Sequence, residues 1–364
     1  MQESNTINLF FELLQVAIGT NVTLSKVPTT EQWNELFELS KKQTLMGVAF
    51  TGIEKLPSEQ RPPKNLLLNW YNICNIIEKQ NNVLNKQAVA VAKKFKEEGF
   101  DNIILKGQGI ATLYENPARR TAGDIDIWLD ADRKRIMSYV RKFIPDAEPI
   151  YHHVDFPIHK DLCIEIHFTP SWMYSYFTNR KLQRYFRKVI KEQLKNRVVV
   201  DGEGGTISAP TLEFNRIYIL LHIYRHLFQE GIGLRQMLDY YHILVQGFTK
   251  EEQIKNIAQL KEFKMQRFAG AAMWVLKRVF NIEDKYMIVE PLENEGKELL
   301  AEIIKMGNFG KYNPEFEIQQ KGNILQRAIS RTKQNMSMVR SYPSEILWAP
   351  LFRAWHFFWM RINK

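Results

Sequence analysis

Apolar positions recur at three- and four-residue intervals through the first hundred residues. In "TTEQWNELFELSKK" Trp33, Leu36, Phe37 and Leu39 fall near helical spacing, with Thr30 in the N-cap position. "PPKNLLLNWYNICNIIEKQNNVLNKQAVAVAKKFKEEGF" continues as a long amphipathic run ending at Gly99. These stretches predict helices that cap whatever follows. The period then changes. Residues 101–105 form a short apolar run and predict a strand, and residues 108–114 predict a helix. "DIDIWL", residues 124–129, alternates polar and apolar, which predicts a strand with one wet face. Residues 132–143 predict a basic helix, and "PIYHHVDF" and "LCIEIHF" predict two more strands.

Further on, residues 178–197 carry eight basic side chains against one acidic, beside an apolar stripe of Leu182, Tyr185, Phe186, Val189 and Ile190. A solvated helix face is the reading this pattern favours. "RVVVDGEGGTISA" predicts a hairpin with a glycine-rich turn, and from Pro210 onward every stretch reads as helix, with Gly231 and Gly233 separating the first two. The tail "SEILWAPLFRAWHFFWMRINK" predicts a docked helix with Trp348, Leu351, Phe352, Trp355 and Trp359 on one buried stripe, interrupted at Pro350. A helix lying on a membrane surface is the competing reading. The pattern divides the chain into an N-terminal helical region (1–100), an α+β core (101–209) and a C-terminal helical domain (210–364).

A net charge of +10 favours polyanionic partners without bearing on the fold. Cys74 and Cys163 lie too far apart in sequence to suggest a disulfide framework, so a reducing compartment is expected. The start, "MQESNTINLFFELLQVAIG", lacks the basic region and cleavage site of a signal peptide, and no apolar run approaches the length of a membrane span. A soluble, cytoplasmic protein is the expectation.

The chemistry concentrates around residues 104–130. On a strand, residues i and i+2 share a face, so Asp124 and Asp126 would point together while Ile125, Ile127 and Leu129 take the buried side. Two close carboxylates repel unless a cation lies between them, and Mg²⁺ is the natural choice because it takes oxygen ligands. In "LCIEIHF" the residues Cys163, Glu165 and His167 share one face. If that strand lies beside "DIDIW", Glu165 completes a three-carboxylate site suited to two-metal phosphoryl or nucleotidyl transfer. The bland alternative is a solvated edge strand. His152, His153, His159, Cys163 and His167 match no tight zinc spacing, and adjacent His152 and His153 on a strand would face opposite sides. Structural zinc is therefore not expected, and His167 is read as a hydrogen-bond partner beside Glu165.

These residues carry a resemblance. "LKGQGIATLYENPARRTAGDIDIWLD" followed by "CIEIHF" is similar to the nucleotidyltransferase superfamily of DNA polymerase β type, and within it to a bacterial family of uncharacterised nucleotidyltransferases. The matching positions are Lys106, Gly107, Tyr114, Arg120, Gly123, Asp124, Asp126, Glu165 and His167. The likeness runs from about residue 30 to about 245 and takes in "ELSKKQTLMGVAF" and "LLHIYRHLFQEGIGLRQMLDYYHIL". It implies a polymerase-β-like core: a small mixed sheet with helices, flanked by N-terminal helices and the C-terminal helical domain. It further implies Mg²⁺-dependent transfer of a nucleoside monophosphate from an NTP, with ATP the expected donor, to a hydroxyl of an unknown small molecule or protein, releasing pyrophosphate.

In that reading Asp124, Asp126 and Glu165 bind two Mg²⁺ ions and carry catalysis. Lys106, Gly107, Gln108, Arg120 and Gly123 hold the nucleotide, with Arg119 able to replace Arg120 and the other arginine left in solvent. His167, His226, Arg235 and Asp239 mark an acceptor or helical-domain site, with an i,i+4 Arg235–Asp239 ion pair as the structural alternative. The chain departs from the wider superfamily where Gln108 follows Gly107 in place of a second Gly or a Ser. Two other functions compete. One is a nucleotide-binding regulator or antitoxin-like protein with weak or no catalysis. The other is an RNA-binding or RNA-modifying protein that uses Lys181, Arg184, Arg187 and Lys188.

Overall fold

The computed structural model describes residues 5–157, 162–200, 205–312 and 339–362. Helices α1 (Asn5–Ile18), α2 (Thr30–Lys42), α3 (Met46–Lys55) and α4 (Lys64–Glu97) come first. The N-cap of α2 is Thr29, not Thr30. Its hydroxyl accepts from Gln32 N–H while the Gln32 side chain accepts from Thr29 N–H, a capping box that the Thr-x-x-Gln spacing specifies. Helix α4 ends where Gly99 takes φ +81°, with Phe100 N–H bonding back to Phe95 O and Gly99 N–H to Lys96 O. This reversal sends the chain directly into the first strand.

The sheet has the order β1-β2-β4-β3, from Asn102–Leu105, Ile125–Leu129, His153–Asp155 (β3) and Ile164–His167 (β4). Strands β1 and β2 are antiparallel, β2 and β4 parallel, and β3 and β4 antiparallel. Between them lie α5 (Gly107–Ala111) and α6 (Arg133–Val140). After the sheet come α7 (Tyr176–Lys195) and a hairpin of β5 (Arg197–Val199) and β6 (Thr206–Ser208), whose glycine-rich turn lies outside the described residues. Then follow α8 (Leu212–Gln229), α9 (Leu234–Leu244), α10 (Lys250–Glu262), α11 (Gln266–Phe280), α12 (Glu293–Met306) and a C-terminal helix, Pro343–Ile362. No helix among the described residues is long and apolar enough to cross a membrane.

Two hydrophobic cores flank the sheet. Ile104, Ile125, Ile127, Ile164 and Ile166 pack on one side against Phe95 of α4 and Ile136 of α6. The opposite face of β2 was expected to be wet, and it is not. Trp128 lies 6.1 Å from Phe186 of α7 and 6.2 Å from Phe214 of α8, and Asp126 beside it is 5% exposed. Helices more than fifty residues downstream cover that face, which alternation in the strand alone does not reveal. The same core continues into α1–α3 and α8–α12, so the N-terminal and C-terminal helices share it. Gln43 links them directly, donating to Ile303 O and accepting from Leu234 N–H.

The C-terminal helix also departs from expectation. It runs continuously through Pro350, and Leu351 and Trp355 of the anticipated buried stripe are exposed. Its buried positions are Glu345, Ile346 and Ala349, on a different face.

Gly47 of α3 permits a close crossing that matters for the site. A Cβ there would sit 2.2 Å from Arg119 O, on the loop that delivers Arg120. Gly47→Ala is therefore expected to lower stability by about 1–3 kcal/mol in urea unfolding. Gly123→Ala, where a Cβ meets open space, is expected to leave the midpoint within about 0.5 kcal/mol of wild type.

Candidate functional site

The strand-to-helix turn after β1 is built on Lys106, with φ 54° and ψ −120°. A non-glycine residue rarely takes this conformation, at a cost of order 1–3 kcal/mol. The turn brings Lys106 Nζ back over the sheet to 2.7 Å from Asp126 Oδ1. The parallel register then sets Asp126 directly beside Glu165, and the next strand sets His153 beside His167. His167 Nε2 lies 2.8 Å from Asp126 Oδ1 and 3.3 Å from Glu165 Oε2. Asp124 precedes β2 and is open to the cleft.

Burial alone would raise the Asp126 carboxyl, but the Lys106 ammonium and the His167 ring outweigh it and hold Asp126 below the usual carboxylate range. Burial likewise opposes the charged forms of Lys106 and His167, yet the acids raise both. Asp124 has no such partner. Loss of hydration, then the charges of Asp126 and Glu165, raise its carboxyl.

A second layer braces the turn. Arg120 grips Asp239 of α9 through two bonds of 2.7 Å, and the Tyr114 hydroxyl donates to the same carboxylate at 2.7 Å. Asp239 is thus paired with Arg120 rather than with Arg235, because the planar guanidinium fork meets both oxygens at once. Arg235 instead donates to Thr121 O at 2.9 Å. Neither arginine of the 119–120 pair is left in solvent: Arg119 bonds Glu78, Thr51 and Glu54. Arg120 lines the cleft, and its Nη1 lies 3.9 Å from where a Gly107 Cβ would stand.

The resulting cleft measures about 700 Å³ and lies between the sheet and α8–α9. It gathers Lys106, Gly107, Arg120, Gly123, Asp124, Asp126, Glu165, His167, His226, Arg235 and Asp239. Gln108 is not among the lining residues; it is 3% exposed. No residue of the basic helix α7 lines the cleft.

The sequence reading passed over several of its walls. His222 lies one turn before His226 on α8, with ring centroids 4.3 Å apart, a juxtaposition their i,i+4 spacing could have signalled. Arg225 lies 4.0 Å over both the Trp172 and Tyr174 rings and donates to Glu345 at 3.0 Å, anchoring the C-terminal helix at the rim. Nothing local marks that partnership.

Among the described residues three groups of side chains could hold a metal ion: Asp126 with Glu165 and His167; His152 with His153 and His167; and His153 with Asp155 and Glu165. Asp124 belongs to none of them. The expectation that His152 and His153 face opposite sides fails, since their rings lie 4.4 Å apart. His152 precedes β3, so strand alternation does not govern it. His159 lies outside the described residues.

Buried neutral histidines surround this machinery. Burial pushes His242, whose ring lies tilted 4.0 Å from that of Tyr114, down to about 4, and holds His152 and His222 well below the ordinary value. In the unfolded chain these rings titrate near 6.5, so between about pH 6.5 and 4 the unfolded state binds more protons and stability falls with pH. His242 alone contributes roughly 3 kcal/mol to that fall. Thermal unfolding of His242→Gln is expected to show a smaller loss between pH 6.5 and 4.5 than wild type; equal losses would mean the ring is not held neutral.

Comparison with known proteins adds a family. No curated protein is significantly similar in sequence. Among solved structures, an antigenic nucleotidyltransferase-like protein from Paracoccidioides brasiliensis matches at 11% identity, over 55% of this chain and 97% of that one. The TM-score is 0.31, too low for the likeness to inform fold or site. Residues 29–281 match the model of a family described as uncharacterised nucleotidyltransferase. That span includes the whole sheet, the Lys106 turn and both helices of the cleft wall, and the chain belongs to this uncharacterised nucleotidyltransferase family.

Proposed function

We propose that the cleft transfers a nucleoside monophosphate from an NTP to a hydroxyl acceptor with the help of divalent metal. The observation that carries this reading is the register that seats Asp126 beside Glu165, with an ammonium already 2.7 Å from Asp126. A position that holds one cation against adjacent carboxylates suits Mg²⁺, and Asp124, Asp126 and Glu165 are the residues that would hold it. Bound Mg²⁺ supplies charge neutralisation of the triphosphate and polarisation of the α-phosphate.

The remaining work falls to the chain. Gly107 leaves room for phosphate beside the turn, with Gly123 on the same wall. Lys106 Nζ and Arg120 Nη1 face that space and supply positive charge to the phosphate oxygens. Asp239 acts on Arg120, fixing its plane. Glu165, about one-fifth exposed, accepts the proton of the acceptor hydroxyl. As that oxygen bonds to the α-phosphorus, the bond to pyrophosphate breaks. His226 and Arg235 on the helical wall are placed to meet the acceptor or the departing phosphates. On this reading the segment 101–209 supplies the phosphate and metal side, and the helices after 210 supply the acceptor side.

Incubation with each of the four α-labelled NTPs and Mg²⁺, alone and with cell extract, is expected to label a protein or small molecule. Asp126→Asn is expected to reduce labelling about a thousand-fold, the equivalent of several kcal/mol of lost charge stabilisation. NTP binding with no transfer by the wild type would replace this reading with that of a nucleotide-binding regulator.

Gly107 gives a separate test. Its Cβ would meet nothing closer than 3.9 Å, so the folded protein itself does not require glycine there. Gly107→Ala is expected to keep the wild-type melting temperature while weakening NTP affinity about ten-fold or more. Unchanged affinity would remove the turn from the phosphate site.

A further inference from the structure

The imidazoles beside Glu165 take no part in the transfer outlined above. His152 Nε2 lies 3.1 Å from His153 Nδ1. His153 Nδ1 is 3.3 Å from Glu165 Oε2, and the same oxygen is 3.3 Å from His167 Nε2. These contacts run as a chain from His152 to His167, and the mutually close set is the three imidazoles. A tetrahedral ion with metal–nitrogen bonds near 2.0–2.1 Å has donor-to-donor edges of about 3.3 Å. The three imidazoles also offer ligand atoms that all lie within 4.8 Å of one another.

The outer nitrogen of His152, Nδ1, is buried and has no hydrogen-bond partner among the described residues. No hydrogen bond on that side sets the ring's orientation; the inward contact is the one it makes.

We propose that His152, His153 and His167 form a metal position beside Glu165 that takes a divalent transition ion of the Zn²⁺ class and rejects Mg²⁺. Three nitrogens and a solvent oxygen suit a borderline-soft ion in tetrahedral geometry. Mg²⁺ demands oxygen ligands in an octahedron and dehydrates reluctantly. The position adjoins the carboxylates at Glu165, His167 Nε2 exchanges its proton and its 2.8 Å contact with Asp126 Oδ1 for the metal on ligation, and the site does not depend on nucleotide turnover.

Co²⁺ is the probe, because its visible absorption reports nitrogen ligation and tetrahedral geometry directly. The full chain is stripped of metal, loaded with Co²⁺ in excess Mg²⁺, dialysed, and assayed for absorption and metal content. The wild type is expected to retain about one Co²⁺ per chain with strong visible bands, which Zn²⁺ displaces and Mg²⁺ does not. His152→Ala and His153→Ala, and the milder His152→Gln, are each expected to weaken retention by at least about ten-fold. Asp124→Asn is expected to leave the spectrum unchanged. Only variants whose metal-free melting temperature matches wild type are scored.

Wild-type protein that retains no Co²⁺, or loses it to Mg²⁺, overturns the proposal without reference to any variant. So does a spectrum unaffected by the histidine substitutions. Co²⁺ retention by a wild type that transfers no nucleotide would sink the transfer reading alone. Transfer with Mg²⁺ by a protein that retains no Co²⁺ would sink this one alone.

Discussion

Lys106 leaves ordinary backbone geometry to reach Asp126. Its φ of 54° costs energy, and drawing both charges out of water costs more. The arrangement persists because each group would be worse off alone: without Lys106 a buried Asp126 would keep only the His167 ring as its partner. The pair fixes the direction in which the chain leaves β1, and so fixes where Gly107 and the loop to Arg120 run. It also fixes which oxygen of Asp126 faces His167, and through His167 the position of Glu165. The geometry of the cleft floor follows from this one contact and the parallel register beneath it.

The opposite wall is held by a second buried pair. Arg120 and Asp239 are 119 residues apart in sequence, yet they join the loop before β2 to α9 through two short bonds. Tyr114 bonds the same carboxylate, and the His242 ring packs against Tyr114. Behind it, Asn81 of α4 bonds the Arg120 carbonyl at 2.8 Å, and Gly47 lets α3 press against Arg119 O. The N-terminal helices thus act on the site by setting how far the arginine loop stands from the sheet. That explains how helices bearing almost none of the cleft lining still constrain its width.

Local signals were legible, and signals from distant packing were not. The change of period at residue 101, the strand around Asp126 and the strand around Glu165 could all be read directly, because alternation and length are local properties. Their adjacency could only be posed as a condition, since nothing in either strand names its neighbour. The wet face assigned to β2 failed because Phe186 and Phe214 cover it from helices far along the chain. The Arg235–Asp239 pair, natural at i,i+4, lost to a better-shaped partner from another element. His152 and His153 show the same limit. Their sequence spacing argues against a shared ligand, and only the short extent of β3 and its pairing with β4 bring the His153 ring to Glu165 and the His152 ring to His153.

Charge balance separates residues that the protein satisfies from those it leaves waiting. Arg119, Arg120, Asp239, Arg225 and Glu345 are each closed by partners of opposite sign at hydrogen-bond distance. Asp124 is not. Its carboxyl is raised because it sits with Asp126 and Glu165 in a cleft where the Lys106 ammonium already rests on Asp126. Asp126 and Glu165 share Lys106 and His167, so the repulsion falls on Asp124, and a cation of higher charge than an ammonium would relieve it. Such a cation would draw the Asp124 value down and free Lys106 toward the phosphate space. A purely structural cluster has no reason to keep that imbalance facing an open cleft, which is the physical ground for reading these acids as ligands rather than as a solvated strand edge.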